Sequence, residues 1–342
     1  MGTSCSSGIR KGLMGGGGHK VCVCGGAGGI GQPLCLLMAM EPDISELTIF
    51  DLNVAMVPPS GVAADLGHLE SKVRVTGHGL DAGIAPKDNL KDCLSGCSLV
   101  LVAAGMPRKP GMTREHLFKA NADIAKGIVE ACAMFCPKAV VALIVNPINS
   151  VVPAMAELYK KAGLEPTKIV GVTSLDCVRA NKFLADAVGC HPGTVEVPVI
   201  GGHSGITIMP VFSQEPMAAK MDQSTLEFLE KKTQDAGSDV VNAKNGRGSA
   251  TLSMAYAAAR LGRAVLAGMS GSPSTECAYV KSDVTELPYF TSRVVFGRSG
   301  VQQVLGIGHL NGYEEMRLQE VIVQLKSEIH AGLKYAEQRT LG

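Results

Sequence analysis

Short apolar runs alternate with helical stretches through the first half of the chain. The runs have the length of buried strands, and the stretches between them repeat apolar residues at helical spacing. Near-continuous apolar strands separated by helices predict a doubly wound α/β fold, in which helices cover both faces of a parallel sheet. The predicted strands span residues 21–24, 47–50, 73–76, 99–103 and 139–145, and the predicted helices span residues 32–40, 61–69 and 117–135.

The pattern changes beyond Gly163. A short apolar run at 168–172 precedes a helix that begins near Thr173, and no internal repeat is present. Strands and helices no longer alternate regularly, so we predict a second, α+β domain over residues 164–342. Its predicted strands span residues 195–200, 206–211, 276–280 and 294–296, and its predicted helices span residues 224–268, with a break at 245–249, and 313–338.

The first predicted strand runs directly into a glycine-rich turn, with Gly25, Gly28 and Gly31 in the sequence VCVCGGAGGIGQ. In a dinucleotide site the first glycine permits a sharp turn, the second lets the backbone approach a pyrophosphate, and the third lets helix and strand pack. About twenty residues later Asp51 ends the next strand, where an acidic residue bonds a ribose diol and favours NAD over NADP. We therefore predict an NAD-binding domain over residues 20–163. The alternative is a glycine-rich turn without a ligand.

Unusual sequences follow two of the predicted strands. Residues 104–114 hold prolines, glycines and cations, so they form a loop, and that loop carries Arg108 and Arg114. The planar fork of arginine matches a carboxylate with two hydrogen bonds, and flanking glycines suit a loop that closes over a bound anion. Asn146 ends the strand at 139–145 before a proline, so its amide points into the same crevice, although a simple turn explains it nearly as well.

A histidine stands between glycines at a strand end in the second half, in the sequence GGHSG. A ligand has room to approach this His203, although a single histidine is more often structural, and His68 is its main rival among eight histidines. Asp176 and Arg179 lie three positions apart on a predicted helix, so spacing alone predicts a surface ion pair.

Composition narrows the classes of function. With 46% hydrophobic and 18% charged residues, the 342-residue chain is typical of a globular protein. A net charge of +1 argues against a nucleic-acid partner, and no apolar stretch is long enough for a transmembrane segment. The eleven cysteines are scattered without the paired spacing of a zinc site, so we expect no metal and a reducing, intracellular compartment.

Residues 1–19 contain many glycines and serines but no acidic residue. We expect a flexible N-terminal extension. An organelle transit peptide is the second interpretation, and N-myristoylation at Gly2 is a distant third. The mitochondrial matrix is the favoured compartment, with the cytoplasm or a peroxisome-like organelle as alternatives.

Seven ordered motifs along residues 21–338 closely resemble the NAD-dependent malate dehydrogenases of the mitochondrial and bacterial type. They are GGAGGIGQP, AAGMPRKPGMTR, NPINS, VTSLDCVRANKF, PVIGGHSGITIMP, GSATLSMAYA and SDVTELPYF. The resemblance implies a Rossmann domain followed by a catalytic domain, a homodimer, and reversible oxidation of (S)-malate to oxaloacetate with NAD, as in the tricarboxylic acid cycle. A broader 2-hydroxy-acid dehydrogenase and a non-catalytic nucleotide-binding protein stay open as alternatives.

The resemblance also implies roles for individual residues. His203 would exchange the proton, with Asp176 as its partner. Arg179 would hold the C1 carboxylate of the substrate and Arg108 the C4 carboxylate, helped by Arg114 and Asn146. The residues that would bind NAD are Gly25, Gly26, Ala27, Gly28, Gly29, Ile30, Gly31, Asp51, Asn121, Ile144, Val145, Asn146 and Met254, the last packing on the nicotinamide ring.

Two positions depart from the family pattern. Gly26 replaces an alanine, which we expect to be harmless. Arg247 stands where glycine or alanine is usual, so it places a cation near the substrate region.

Overall fold

A computed structural model of the chain describes residues 18–55, 57–81, 84, 89–106 and 113–342, and for Arg114 only the backbone. The predicted extension therefore lies almost entirely outside the described residues, as does Arg108. In this part of the chain, no helix is long and apolar enough to cross a membrane.

The first half forms the predicted parallel sheet, with strand order β3-β2-β1-β4-β5-β6 and every neighbouring pair parallel. The order reverses between β1 and β4, which is the point where doubly wound sheets open a crevice for their ligands. β4 and β5 are entirely apolar and buried, as expected for strands covered on both faces. The strands are β1 (His19–Cys24), β2 (Ile44–Leu52), β3 (Arg74–Leu80), β4 (Leu99–Val102), β5 (Val140–Leu143) and β6 (Ile169–Gly171).

The second half continues the same sheet with antiparallel pairs, in the order β6-β9-β10-β7-β8, and β11 pairs with β10. The predicted fold class is confirmed. The domain boundary after Gly163 stays a prediction, and β6, which follows it, completes the parallel part of the sheet. The strands are β7 (Val199–Gly201), β8 (Ile208–Pro210), β9 (Ser274–Lys281), β10 (Tyr289–Gly297) and β11 (Gly300–Val304).

Helices cover both faces of the sheet, and alternate residues of one strand enter different cores. Val21 and Val23 pack in one cluster, whereas Cys22 and Cys24 pack in the other as small hydrophobic side chains. The helices are α1 (Gly31–Ala39), α2 (Pro59–Leu66), α3 (Lys91–Leu94), α4 (Arg114–Phe135), α5 (Ile148–Lys161), α6 (Ser174–Val188), α7 (Gln223–Ala243), α8 (Leu252–Met269) and α9 (Gly312–Glu337).

The sequence did not reveal α5 or the short elements α3 and β11. Eleven of the 14 residues of α5 are buried, and Pro153 lies inside it. An internal proline argues against a helix, and this proline conceals α5 in the sequence.

Candidate active site

The glycine turn between β1 and α1 is closely packed at its two ends and open at its centre. Gly25 has φ +83°, and a Cβ added there would lie 2.4 Å from the backbone nitrogen of Ala104, which follows β4. A Cβ added at Gly31 would lie 2.0 Å from the Gly25 oxygen, whereas one at Gly28 would meet only that oxygen, at 3.4 Å. The outer glycines are therefore required by the fold, and the central one leaves space beside the N-terminus of α1, where backbone N–H groups favour an anion.

Asp51 bends over this turn from the end of β2. Its Oδ2 accepts a hydrogen bond from the Ala27 N–H at 2.9 Å, and its Oδ1 accepts one from the Leu52 N–H at 2.8 Å. The carboxylate thus stands beside the turn, where an acidic residue meets a ribose diol. Gly26 is the position where the family usually has alanine. A Cβ there would lie 2.5 Å from Ile49 Cγ2, so the Ile49 side chain of this chain favours glycine.

Asn121 joins the ends of two strands at the crevice. Its Oδ1 accepts from the Met106 N–H at 2.7 Å, and its Nδ2 donates to the carbonyl oxygens of Asn146 at 2.7 Å and Met106 at 3.2 Å. Its buried amide is thus used to align the backbone that follows β4 and β5. Ile144 and Val145 are buried beside it, and the side chain of Asn146 is exposed at the crevice.

His203 lies in a loop between β7 and β8, two residues after Gly201, whose φ is +97°. Its Nδ1 donates a hydrogen bond to Asp176 Oδ2 at 2.5 Å, and its backbone N–H donates to Asn149 Oδ1 at 2.8 Å. Asp176 is 0% exposed in the first turn of α6, where the helix dipole stabilises a negative charge. A carboxylate that accepts from Nδ1 leaves the other ring nitrogen, Nε2, to exchange a proton.

Arg179 lies one turn further along α6, and its side chain is only 13% exposed. The prediction of a surface pair with Asp176 is wrong, because Asp176 is fully buried and Arg179 is largely buried, with its Nη1 3.7 Å from Asp176 Oδ1. Burial lowers the pKa of Arg179, against the opposing effect of the Asp176 and Asp239 carboxylates. None of the hydrogen bonds between described residues has this guanidinium as donor, so its planar fork remains available for an anion.

The start of α8 approaches the glycine turn from the second half. A Cβ added at Gly29 would lie 3.2 Å from Thr251 Cγ2, and Met254 is buried nearby on α8, in the same core cluster as the valines of β1. Arg247 is exposed in the loop that precedes α8. The rival histidine, His68, is exposed beyond the end of α2.

A continuous series of contacts connects the nucleotide end of this crevice with His203. Gly25 touches the segment after β4, Asn121 joins that segment to the one after β5, and Asn149, at the start of α5, holds the His203 loop. Sequence reasoning missed Asn149, although it stands in the motif NPINS. It also missed Glu328 on α9, which bonds Asn149 and has no signal in its local sequence.

Comparison with known proteins identifies the family of the chain. Residues 19–171 match the family model described as "lactate/malate dehydrogenase, NAD binding domain", and residues 173–336 match "lactate/malate dehydrogenase, alpha/beta C-terminal domain". The chain belongs to the lactate/malate dehydrogenase family.

Two relatives within this family illustrate the degree of similarity. Mitochondrial malate dehydrogenase 1 of Arabidopsis thaliana is 48% identical over 322 residues, which are 94% of this chain and 92% of that protein. Mitochondrial malate dehydrogenase of Sus scrofa is 46% identical over 320 residues, covering 93% of this chain and 92% of that protein. Among solved structures, malate dehydrogenase of Cryptosporidium parvum superposes with a TM-score of 0.78 at 26% identity, covering 93% of this chain and 99% of that chain.

Proposed function

We propose that the chain is an NAD-dependent malate dehydrogenase that interconverts (S)-malate and oxaloacetate. One observation carries this proposal: a buried His203–Asp176 pair lies beside the buried Arg179 guanidinium at the strand ends of an NAD-binding domain. A proton acceptor and an anion-binding group placed together are what oxidation of a hydroxy acid requires.

The residues at the glycine turn fit NAD. The open side of Gly28 and the N-terminus of α1 would hold the pyrophosphate, and Asp51 would bond the adenosine ribose. NAD supplies the acceptor for the hydride from C2 of malate. We further propose that the segment Ile144–Val145–Asn146, aligned by Asn121, and Met254 surround the nicotinamide.

His203 moves the proton. In malate oxidation the neutral imidazole takes the hydroxyl proton at Nε2, while Asp176 holds Nδ1–H and stabilises the imidazolium that forms. In the reverse direction, protonated His203 donates to the carbonyl oxygen of oxaloacetate and polarises it. The carboxylate fixes the tautomer in both directions, so the proton is exchanged at one nitrogen.

The substrate carboxylates would be held by arginines. Arg179 is placed to clamp C1 with two parallel hydrogen bonds. Arg108 would bind the C4 carboxylate, which distinguishes oxaloacetate from pyruvate, with Arg114 and Asn146 as further partners. When a desolvated arginine is left without its carboxylate partner, the binding free energy weakens by about 2–5 kcal/mol. This is enough to reject a substrate with a neutral group in place of the C4 carboxylate.

The test is the ratio of kcat/KM with NADH for oxaloacetate, pyruvate and phenylpyruvate. We expect oxaloacetate to be preferred by at least about 100-fold, because only it fills a second carboxylate site. Arg108→Gln should reduce this ratio, whereas Arg247→Gln, in the exposed loop before α8, serves as a control for loss of a nearby cation. Preference for pyruvate or phenylpyruvate would favour the alternative, a broader 2-hydroxy-acid dehydrogenase.

We also propose a homodimer. Met40, beside α1, and Leu252 and Tyr256 on the neighbouring α8 are 67%, 72% and 49% exposed, an apolar surface that a second copy would cover. Light scattering after size exclusion should give twice the chain mass, and Tyr256→Glu should shift it toward the monomer. The control Phe228→Glu makes an equally drastic change at a 64% exposed position on α7, and it should leave the measured mass unchanged. A monomeric native chain would contradict the proposal.

The compartment is proposed from the N-terminal residues and the relatives. Among the relatives, mitochondrial, peroxisomal and glyoxysomal forms occur. We propose the mitochondrial matrix, with residues 1–19 as the targeting segment. Imaging the full chain beside a variant lacking these residues tests this, since unchanged localisation would contradict the targeting role.

A further inference from the structure

Asn149 packs against the His203 loop and makes hydrogen bonds with both ends of its side-chain amide. The residue is 1% exposed, and its Oδ1 accepts from the His203 N–H at 2.8 Å. Its Nδ2 faces Glu328 Oε2 at 2.6 Å, Ser204 Oγ at 3.1 Å and Thr207 Oγ1 at 3.2 Å. A Cβ added at the preceding Gly202 would lie 2.6 Å from this Nδ2, so loop and amide are in direct contact.

Glu328 reaches this loop from α9, at the far end of the sequence. Its carboxylate accepts from Asn149 Nδ2, from Ser204 Oγ at 2.9 Å and from Gln324 Nε2 at 2.8 Å. Its backbone oxygen accepts from Ser150 Oγ at 2.7 Å, which fixes this turn of α9 against the start of α5. No cation forms an ion pair with Glu328 within the part of the chain that the structure describes.

The acceptor-only character of this carboxylate determines which way the Asn149 amide points. A backbone N–H and a carboxylate are on opposite sides of the amide, so the oxygen must face His203 and the nitrogen must face Glu328. If the carboxylate were lost, only the hydroxyls of Ser204 and Thr207 would face the amide nitrogen. Because a hydroxyl can donate as well as accept, the amide could then rotate, and the His203 N–H would lose its partner. The position of the imidazole relative to Asp176 would then be less well defined.

We propose that Glu328 is a positioning residue for His203, acting through the amide of Asn149 and the hydroxyl of Ser204. The inference rests on the proposed function, because it concerns the group that exchanges the proton in that reaction. The Glu328 carboxylate bonds side chains of the protein, so in this proposal it acts through them. Its effect is on the orientation of the catalytic loop, where a displacement of about 1 Å can lower a rate about 100-fold.

The test reverses the Asn149–Glu328 hydrogen bond. Glu328→Gln should lower kcat for oxaloacetate reduction about tenfold, the scale of one lost hydrogen bond to a charged group. Asn149→Asp should lower kcat about 100-fold, because two carboxylates then face each other. In the double variant the new amide donates to the new carboxylate, while the His203 N–H keeps an acceptor, so kcat should recover to within about threefold of wild type.

Two further measurements separate positioning from general stability. The KM for NADH should stay unchanged in all three variants, because the glycine turn is not involved. Glu315→Gln, which removes an exposed acid from the same helix, should leave kcat unaltered. Ser204→Ala removes the hydroxyl that donates to Glu328 and accepts from Asn149 Nδ2, and it should lower kcat about threefold, so the proposal stays testable even if Asn149→Asp does not fold.

The outcomes are distinguishable. Recovery in the double variant together with a constant KM for NADH supports the proposal. If the wild-type protein reduces oxaloacetate, two results would overturn this inference alone. One is a Glu328→Gln variant as active as wild type, and the other is a double variant no more active than Asn149→Asp. A wild-type protein that does not reduce oxaloacetate would overturn both this inference and the proposed function.

Discussion

The glycine turn and the His203 loop differ in how the chain builds them. The turn is made by residues close in sequence, and its required contacts are backbone to backbone, such as the 2.0 Å that would separate a Cβ on Gly31 from the Gly25 oxygen. The His203 loop depends on side chains from three other elements: Asp176 on α6, Asn149 on α5 and Glu328 on α9. The two ends of this local site tolerate no added atoms, whereas an assembled site depends on the direction of each hydrogen bond.

The largest effect is expected at the assembled site. His203→Ala removes the group that exchanges the proton, so kcat for oxaloacetate reduction should fall about 10³-fold while the KM for NADH stays constant. Steady-state kinetics check this, with His68→Ala at the exposed rival position as the matched control. A loss of less than about tenfold would mean that another group moves the proton.

The second-largest effect is expected at Arg179, the anion-binding group. Arg179→Met leaves the C1 carboxylate without a partner in a buried place, so kcat/KM for oxaloacetate should fall at least about 100-fold. Arg179→Lys keeps the charge but loses the planar fork, and its activity should lie between those of Arg179→Met and wild type. Equal activity of the methionine variant and wild type would show that C1 is bound elsewhere.

The glycines provide a matched pair at the local site. Gly28→Ala meets only an ordinary contact at 3.4 Å, so the fold should persist while the KM for NADH rises about tenfold through the lost approach to the pyrophosphate. Gly31→Ala collides with the Gly25 oxygen, so its main effect should be a lower Tm. Thermal unfolding and NADH titration distinguish the two, and a Gly28→Ala protein with unchanged NADH binding would remove the assigned role.

The smallest effect is expected at Asp51. Asp51→Ser should raise the KM for NADH about fivefold, the scale of one or two hydrogen bonds, and should narrow the preference for NADH over NADPH. The measurement is kcat/KM with each nucleotide. If the preference is unchanged, Asp51 is only a structural partner of the Ala27 N–H.

The sequence could predict the local glycine turn better than the His203 loop, which is assembled from distant elements. The parallel sheet, the glycine turn and Asp51 were predictable because strand length, helix spacing and backbone freedom are local properties. The burial of Asp176 and Arg179 was not, since a spacing of three residues fits a surface pair equally well. Nor was Glu328, because its partner Asn149 is separated from it by most of the second half of the chain and lies on α5, a helix that contains Pro153.

The central claim is that both sites converge on one substrate, and the most direct measurement is a crystal structure with NAD⁺ and oxaloacetate, which cannot react because both are oxidised. We expect the C2 oxygen of oxaloacetate within hydrogen-bond distance of His203 Nε2, the C1 carboxylate on Arg179, and the nicotinamide beside residues 144–146. A complex in which NAD⁺ occupies the glycine turn but oxaloacetate binds away from His203 would contradict it.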